Sequence, residues 1–227
     1  MAIVCRAHQI LFIMTPITAC SAVGKALREE LGGEFLPAEP ITDGRGRVRL
    51  DSKHNTLADL LRHELLDEST SRKMYKFSTV RNPFDRLVSK YAKEKNKLQE
   101  HLGDPGSWIH RDPRLVEDIV FCRDHSFDEW IERRYRTRLW PRLRGQGRKN
   151  GLLRYAEGMD TVMRYENLDG DFAKVLKAAG VARRVEIPRF HVTGGRTRDY
   201  RSYYSASSRK IVEYAFRDVL ERFGYGF

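Results

Sequence analysis

The chain has 227 residues, 42 Lys plus Arg against 31 Asp plus Glu, a net charge of +11 and 41% hydrophobic residues. That is enough for one substantial core and too apolar for a disordered chain, while the basic excess suggests an anionic partner. No apolar run approaches the roughly 20 residues that span a bilayer, and Cys5, Cys20 and Cys122 are odd in number and far apart. Membrane, fibrous and disulfide-scaffold architectures are therefore excluded, and a reducing, cytoplasmic compartment is expected. The apolar stretch after Arg6 is short and ends at Pro16, which is not the pattern of a secretory leader.

Gln9–Met14 is a continuous apolar run, the pattern of a strand covered on both faces. It leads into Thr15-Pro16-Ile17-Thr18-Ala19-Cys20, a loop of mostly small residues, and Ser21 is placed to cap a helix that stops at Gly32-Gly33. Pro37–Asp51, rich in Pro, Gly and Arg, reads as a loop. Leu57, Leu60, Leu61 and Leu65 predict a helix over Thr56–Glu68, and Lys73–Val80 reads as a strand. Asn82 suits a helix cap and Pro83 its first position, and Phe84, Leu87, Val88 and Tyr91 then fall on one helical face. Further helices are predicted at Arg114–Cys122 and Phe127–Arg138, a strand at Thr161–Tyr165 and a helix from Asp169 to Ala179 before Gly180. A last helix opens at Ser205 and carries Ile211, Val212, Ala215, Val219, Leu220 and Phe223. Strands alternating with helices imply an α/β sandwich around a mainly parallel sheet.

The first chemical constellation is the strand, tight loop and helix at Leu11–Arg28. Successive backbone N–H groups and a helix N-terminus favour an anion there, small side chains let it approach, and Thr18 and Ser21 offer hydroxyl donors. A Walker loop is a poor fit: Gly24-Lys25 are present, but Ala19 stands where the first glycine belongs and Ala26 where the magnesium-binding hydroxyl belongs. Cys122-Arg123-Asp124-His125 lacks a second pair at zinc-ligand spacing, so no metal site is expected. Ser21 with His54 suggests a hydrolase only in composition, because no Gly-x-Ser-x-Gly elbow exists. Eight basic residues and no acid lie between Arg133 and Lys149. A solvated face, a nucleic acid, an acidic glycan or a small polyanion would each account for that run, but no nucleic-acid motif accompanies it and nucleic acid is not the expected partner.

The second constellation, Lys76-Phe77-Ser78-Thr79-Val80-Arg81-Asn82-Pro83-Phe84-Asp85-Arg86-Leu87-Val88-Ser89-Lys90-Tyr91, resembles the 3′-phosphate segment of sulfotransferases that use 3′-phosphoadenosine 5′-phosphosulfate (PAPS). The likeness is to the carbohydrate and bacterial type, family 2-like. In that family an Arg ending a strand and a Ser eight residues later both hold the 3′-phosphate, and Arg81 and Ser89 match in type and spacing. Ile13–Ala22 is similar to the family's 5′-phosphosulfate loop, Met163-Arg164-Tyr165-Glu166-Asn167-Leu168 to its late strand-to-helix motif, and Tyr203–Phe227 to its carboxyl end.

The resemblance implies a P-loop-like three-layer sandwich, a single sulfotransferase domain over 1–227, and a mainly helical acceptor-side region over 93–150. It implies PAPS as co-substrate, adenosine 3′,5′-bisphosphate (PAP) as product, no metal, and an acceptor hydroxyl on a glycan or other alcohol. Pro16, Ile17, Thr18, Ala19, Cys20 and Ser21 correspond to the phosphosulfate loop, with Arg196 and Arg198 as candidates for a closing basic loop. Asp51-Ser52-Lys53-His54-Asn55-Thr56 resembles the stretch before the second helix in bacterial members. His54 is accordingly the expected general base, Lys53 an electrostatic helper and Glu166 a fallback base. The Arg133–Lys149 run would shape the site of an acidic acceptor. One departure stands out: the family carries Lys after the loop Pro, and this chain carries Ile17. Either Lys25 or Arg198 replaces that cation, or the chain is an impaired or non-catalytic member that binds PAP or another polyanion.

Overall fold

Ile10–Ile13 (β2) is wholly buried because the sheet around it is covered on both faces. The computed structural model describes residues 2–45, 48–50, 52–136, 151–189 and 199–227. It divides into two compact units, Met1–Arg81 with Gly151–Phe190 and Asn82–Asn150 with His191–Phe227. The first holds a five-stranded sheet in the order β3-β1-β2-β6-β7. Its strands are β1 (Ala2–Cys5), β2, β3 (Glu34–Leu36), β6 (Tyr75–Val80) and β7 (Thr161–Arg164). β2, β6 and β7 pair in parallel, while β1 is antiparallel to both β2 and β3, so β1 alone runs against the other strands. Phe12 pairs with Phe77 in this register, and their rings stack at 4.7 Å.

One face of the sheet, carrying Ile3, Cys5, Ile10, Phe12, Phe77 and Met163, packs against two helices. α1 (Cys20–Leu31) contributes Val23, Ala26 and Leu27, and α7 (Leu168–Ala178) contributes Phe172, Val175 and Leu176. α1 sits so close that a Cβ at Gly24 would lie 2.7 Å from Ile3 Cδ1. Ala2, Val4, Leu11 and Ile13 fill the other face against Leu60 of α2 (Leu57–Arg62), Leu66 and Met74, with Tyr155 and Met159 alongside. Helix, sheet and helix give the three layers expected of a P-loop-like sandwich. Cys5, Cys20 and Cys122 are all buried, and burial pushes the Cys5 thiol up to about 11.

Several local expectations need correction. Ser21 is not a cap: α1 begins one residue earlier, after Ala19 in a left-handed conformation, with no side chain capping it. The helix expected over Thr56–Glu68 is instead α2, opened by a capping box between Thr56 and Asp59, followed by α3 (Glu68–Lys73), with Glu64 at positive φ between them. Lys73 therefore ends a helix rather than starting a strand. Within the expected loop Pro37–Asp51, β4 (Ile41–Thr42) and β5 (Val48–Leu50) pair as a small antiparallel ribbon.

The second unit is helical among its described residues: α4 (Pro83–Ala92), a π-helical turn at Lys93–Lys97, α5 (Pro113–Asp124), α6 (Phe127–Tyr135), α8 (Ala206–Ala215) and α9 (Arg217–Phe223). Its centre is aromatic. Phe84 meets Tyr204 at 5.4 Å and Phe227 at 5.0 Å, and Phe127 meets Tyr204 at 4.8 Å, all edge-on. The three described arginines that open the basic run are each beside an acid: Arg133 with Glu117, Arg134 with Asp118 and Arg136 with Glu132. Residues 137–149 of that run lie outside the described residues.

Asn82 ties the start of this unit to its end. Its side-chain oxygen accepts from Phe84 N–H at 3.0 Å, and its amide donates to the Gly226 carbonyl at 2.8 Å. The amide also lies 3.4 Å from the Tyr200 hydroxyl, and Asn82→Ala, which removes all of these bonds, is expected to lower stability by about 2 kcal/mol. Asn82→Asp keeps the cap and should lose less than half of that, as read from urea denaturation midpoints.

Candidate functional site

The chain leaves β2 through α1 toward β3 on one side of the sheet, and leaves β6 toward β7 on the other. Adjacent parallel strands whose connections part in this way open a crevice beyond their carboxyl ends, the usual place for a ligand in an α/β sheet. The segment after β2 is the loop Met14–Ala19, and the residue after β6 is Arg81.

The loop has an alternating backbone hand. Ile17 (φ 63) and Ala19 (φ 58) are left-handed, while Thr18 between them and Cys20, the first residue of α1, are not. Such alternation turns successive N–H groups into one concavity, and the positive end of the α1 dipole lies next to it. A left-handed conformation costs a non-glycine residue roughly 1–2 kcal/mol, and the β-branched Ile17 is the least suited to it. Thr18 explains how the loop is held. Its hydroxyl donates to the Thr15 carbonyl at 2.8 Å and is therefore the acceptor in its contact with the hydroxyl of Thr79 on β6. Thr18 is fully buried, backbone and side chain alike, so its part is to hold the loop through its hydroxyl. Cys20 is buried, Pro16, Ile17 and Ala19 are half-buried, and Ser21 is exposed on the first turn of α1.

Arg81 is buried, and its guanidinium lies 3.9 Å from the centre of the Tyr165 ring, just beyond β7. Stacking restrains the guanidinium plane, and the in-plane N–H donors of a guanidinium are the edge that suits phosphate. Ser89 is a buried residue of α4, in the second unit. Lys25 lies 3.6 Å from Glu29, one turn further along α1. Arg196 and Arg198 lie outside the described residues.

His54 follows the two-stranded ribbon and precedes the capping box that starts α2. It is half-buried and left-handed (φ 62), a region that His enters more readily than most residues. Its Nδ1 is 3.0 Å from the Met14 carbonyl oxygen. A carbonyl only accepts, so Nδ1 carries the proton, and in the neutral ring Nε2 is then the basic nitrogen. Tyr155 donates its hydroxyl proton to the His54 carbonyl at 2.9 Å. Lys53 is exposed beside His54, and Glu166 is exposed in the turn Tyr165–Asn167.

The fold thus brings Thr18 to Thr79, His54 to Met14 and Tyr155, and Arg81 to Tyr165. Thr79 and Tyr165 lie inside segments whose patterns were already informative, but nothing in their local sequence marks a role. Tyr155 has no local signal at all.

Replacing a left-handed alanine with glycine removes the steric penalty but adds chain entropy to the unfolded state. Ala19→Gly is therefore expected to gain about 0.5 kcal/mol, whereas Ala19→Val should lose at least about 1 kcal/mol. Thermal unfolding of the three proteins gives the order directly.

Among the described residues no cluster of His, Cys, Asp or Glu is arranged to hold a metal ion, and no helix is long and apolar enough to cross a membrane. No curated protein and no solved structure matches the chain. A family model described as Sulfotransferase family matches residues 1–226, a span that takes in the β2 loop, Arg81, Ser89 and His54. The match covers nearly the whole chain, so the protein belongs to the sulfotransferase family, whose chemistry is the transfer of a sulfuryl group.

Proposed function

We propose that the protein transfers the sulfuryl group of PAPS to an acceptor hydroxyl, on a glycan or another alcohol, in a cytoplasmic setting and as one functional domain. The observation that carries this reading is the left–right alternation at Ile17–Cys20 leading into α1, an anion cradle at the carboxyl end of a central parallel strand. Family membership supports the choice of a nucleotide sulfate as the anion.

In this reading the backbone N–H groups of Ile17, Ala19 and Cys20, with Thr18 holding the loop and Pro16 and Ser21 at the rims, hold the 5′-phosphosulfate. Arg81 holds the 3′-phosphate, its guanidinium plane kept by Tyr165. Ser89 joins it on the strength of its spacing from Arg81 and the family pattern, and Arg196 and Arg198 are assigned to the closing basic loop on the pattern alone. The acceptor hydroxyl attacks sulfur in line with the bridging oxygen. As the new S–O bond forms, the bond to the bridging oxygen breaks and PAP departs as the anion. The acceptor proton goes to Nε2 of His54, whose Nδ1–H is already committed to Met14. Lys53, exposed beside the base, is assigned the stabilisation of developing negative charge.

Ile17 favours a second outcome. Its side chain brings no charge to the departing phosphate, and Lys25 is within ion-pair distance of Glu29. A member that binds PAP but turns over slowly would carry these features.

Calorimetry with PAP tests the shared basis of both outcomes. Binding is expected, and Arg81→Ala should weaken it by roughly 30-fold, the loss of a charge-assisted phosphate contact. Folded protein that shows no heat at millimolar PAP would overturn the nucleotide-pocket reading. Transfer from labelled PAPS onto glycans, phenols and lipid alcohols then decides turnover, with His54→Ala expected to lower kcat by about 100-fold. A large gain from Ile17→Lys would identify the native chain as the impaired type, and no gain on an active enzyme would show that another cation already serves.

A further inference from the structure

One side chain held beside the proposed base has no part in the reaction scheme. Tyr155 lies 101 residues along the chain from His54, in the turn Gly151–Ala156, and its hydroxyl donates to the His54 carbonyl at 2.9 Å. Its ring packs with Leu57 and Met159 onto the cluster of Leu11, Ile13 and Leu60, so the hydroxyl is delivered from a fixed base. The same turn is anchored to α2 by Arg154, which lies 3.5 Å from Asp59 of the capping box.

Two bonds act on different parts of His54. One holds the ring, through Nδ1–H and the Met14 carbonyl, and the other holds the backbone, through the His54 carbonyl and Tyr155. The backbone bond matters because His54 is left-handed and would relax to negative φ if the following peptide were free to turn. Relaxation would swing the ring away from Met14 and release Nδ1, and the basic nitrogen would no longer be confined to Nε2.

We propose that Tyr155 is a positioning residue for His54: its hydroxyl pins the strained backbone and so fixes the imidazole tautomer that presents Nε2. The proposal rests on the reading of His54 as the base only for its catalytic consequence. The geometric claim stands apart from it and has its own readout.

The test is Tyr155→Phe, which keeps the ring packing and removes one proton donor. In protein labelled with ¹⁵N-histidine, the wild-type His54 ring should show one tautomer, with Nδ1 protonated. The variant should show averaged nitrogen shifts, with both tautomers populated. Turnover of the acceptor class found by the PAPS screen should fall roughly tenfold in kcat, with KM for PAPS changed less than twofold. An unaltered single-tautomer signature in the variant would overturn the proposal, whatever the kinetics. If Tyr155→Phe fails to fold, Tyr155→Met refills the space without a donor and is read the same way. Full activity of His54→Ala would remove the base assignment, yet the tautomer signature would still decide whether Tyr155 holds the ring.

Discussion

The burial of Ile10–Ile13 on both faces is the constraint on which the first unit is built. Each of these side chains has to be removed from water, and a single layer on one side cannot do that. α1 and α7 cover one face, and α2 with the Tyr155 turn covers the other. The same demand decides where chemistry is located. Backbone polar groups of the central strands are paired in the ladder on both sides, so the unpaired donors of β2 and β6 emerge where those strands end. β2 ends at the alternating loop and β6 ends at Arg81, and the switch in chain direction between those two strands leaves room beyond them.

What gathers there is mostly backbone. The loop's N–H groups and the α1 N-terminus supply positive potential without a side-chain charge, and Arg81 adds one formal charge in a fixed plane. For the sulfuryl transfer proposed above, the absence of a loop lysine would then be less damaging to binding than to catalysis. Ground-state anions are satisfied by fixed donors, whereas charge that grows on a leaving oxygen responds most to a cation placed beside it. Of the basic run, Arg133, Arg134 and Arg136 are already beside acids within the helical unit.

How much was legible in advance follows the physics of each feature. β2 could be read because four adjacent apolar residues have no other use at that length, and α4 because cap, proline and apolar face agree on one boundary. The Arg81–Ser89 segment was legible as a family pattern rather than as geometry. β1 was missed because Ala2–Cys5 is short and is followed by the single turn Arg6–His8, with Gln9 left-handed, a hairpin connection without glycine. The loop's alternation was hidden for the same reason. Glycine would have advertised positive φ at 17, 19 or 54, but Ile, Ala and His do not. Ser21 looked like a cap because its residue type fits, but the left-handed turn at Ala19 starts the helix one residue before it. Tyr155 and Tyr165 act through contacts that local patterning cannot carry.

The side chains at Ile17 and Ala19 also bear on the entropy of capture. A loop of glycines samples many conformations before an anion arrives, and ordering it subtracts from the observed affinity. Here few alternatives compete, because Thr18 is bonded to both Thr15 and Thr79 and its two neighbours have narrow conformational choice. The concavity therefore exists before any ligand enters it. In the anion-binding role proposed above, rigidity of this kind would leave little latitude for anions of other sizes, so the loop would gauge what it admits as well as attract it.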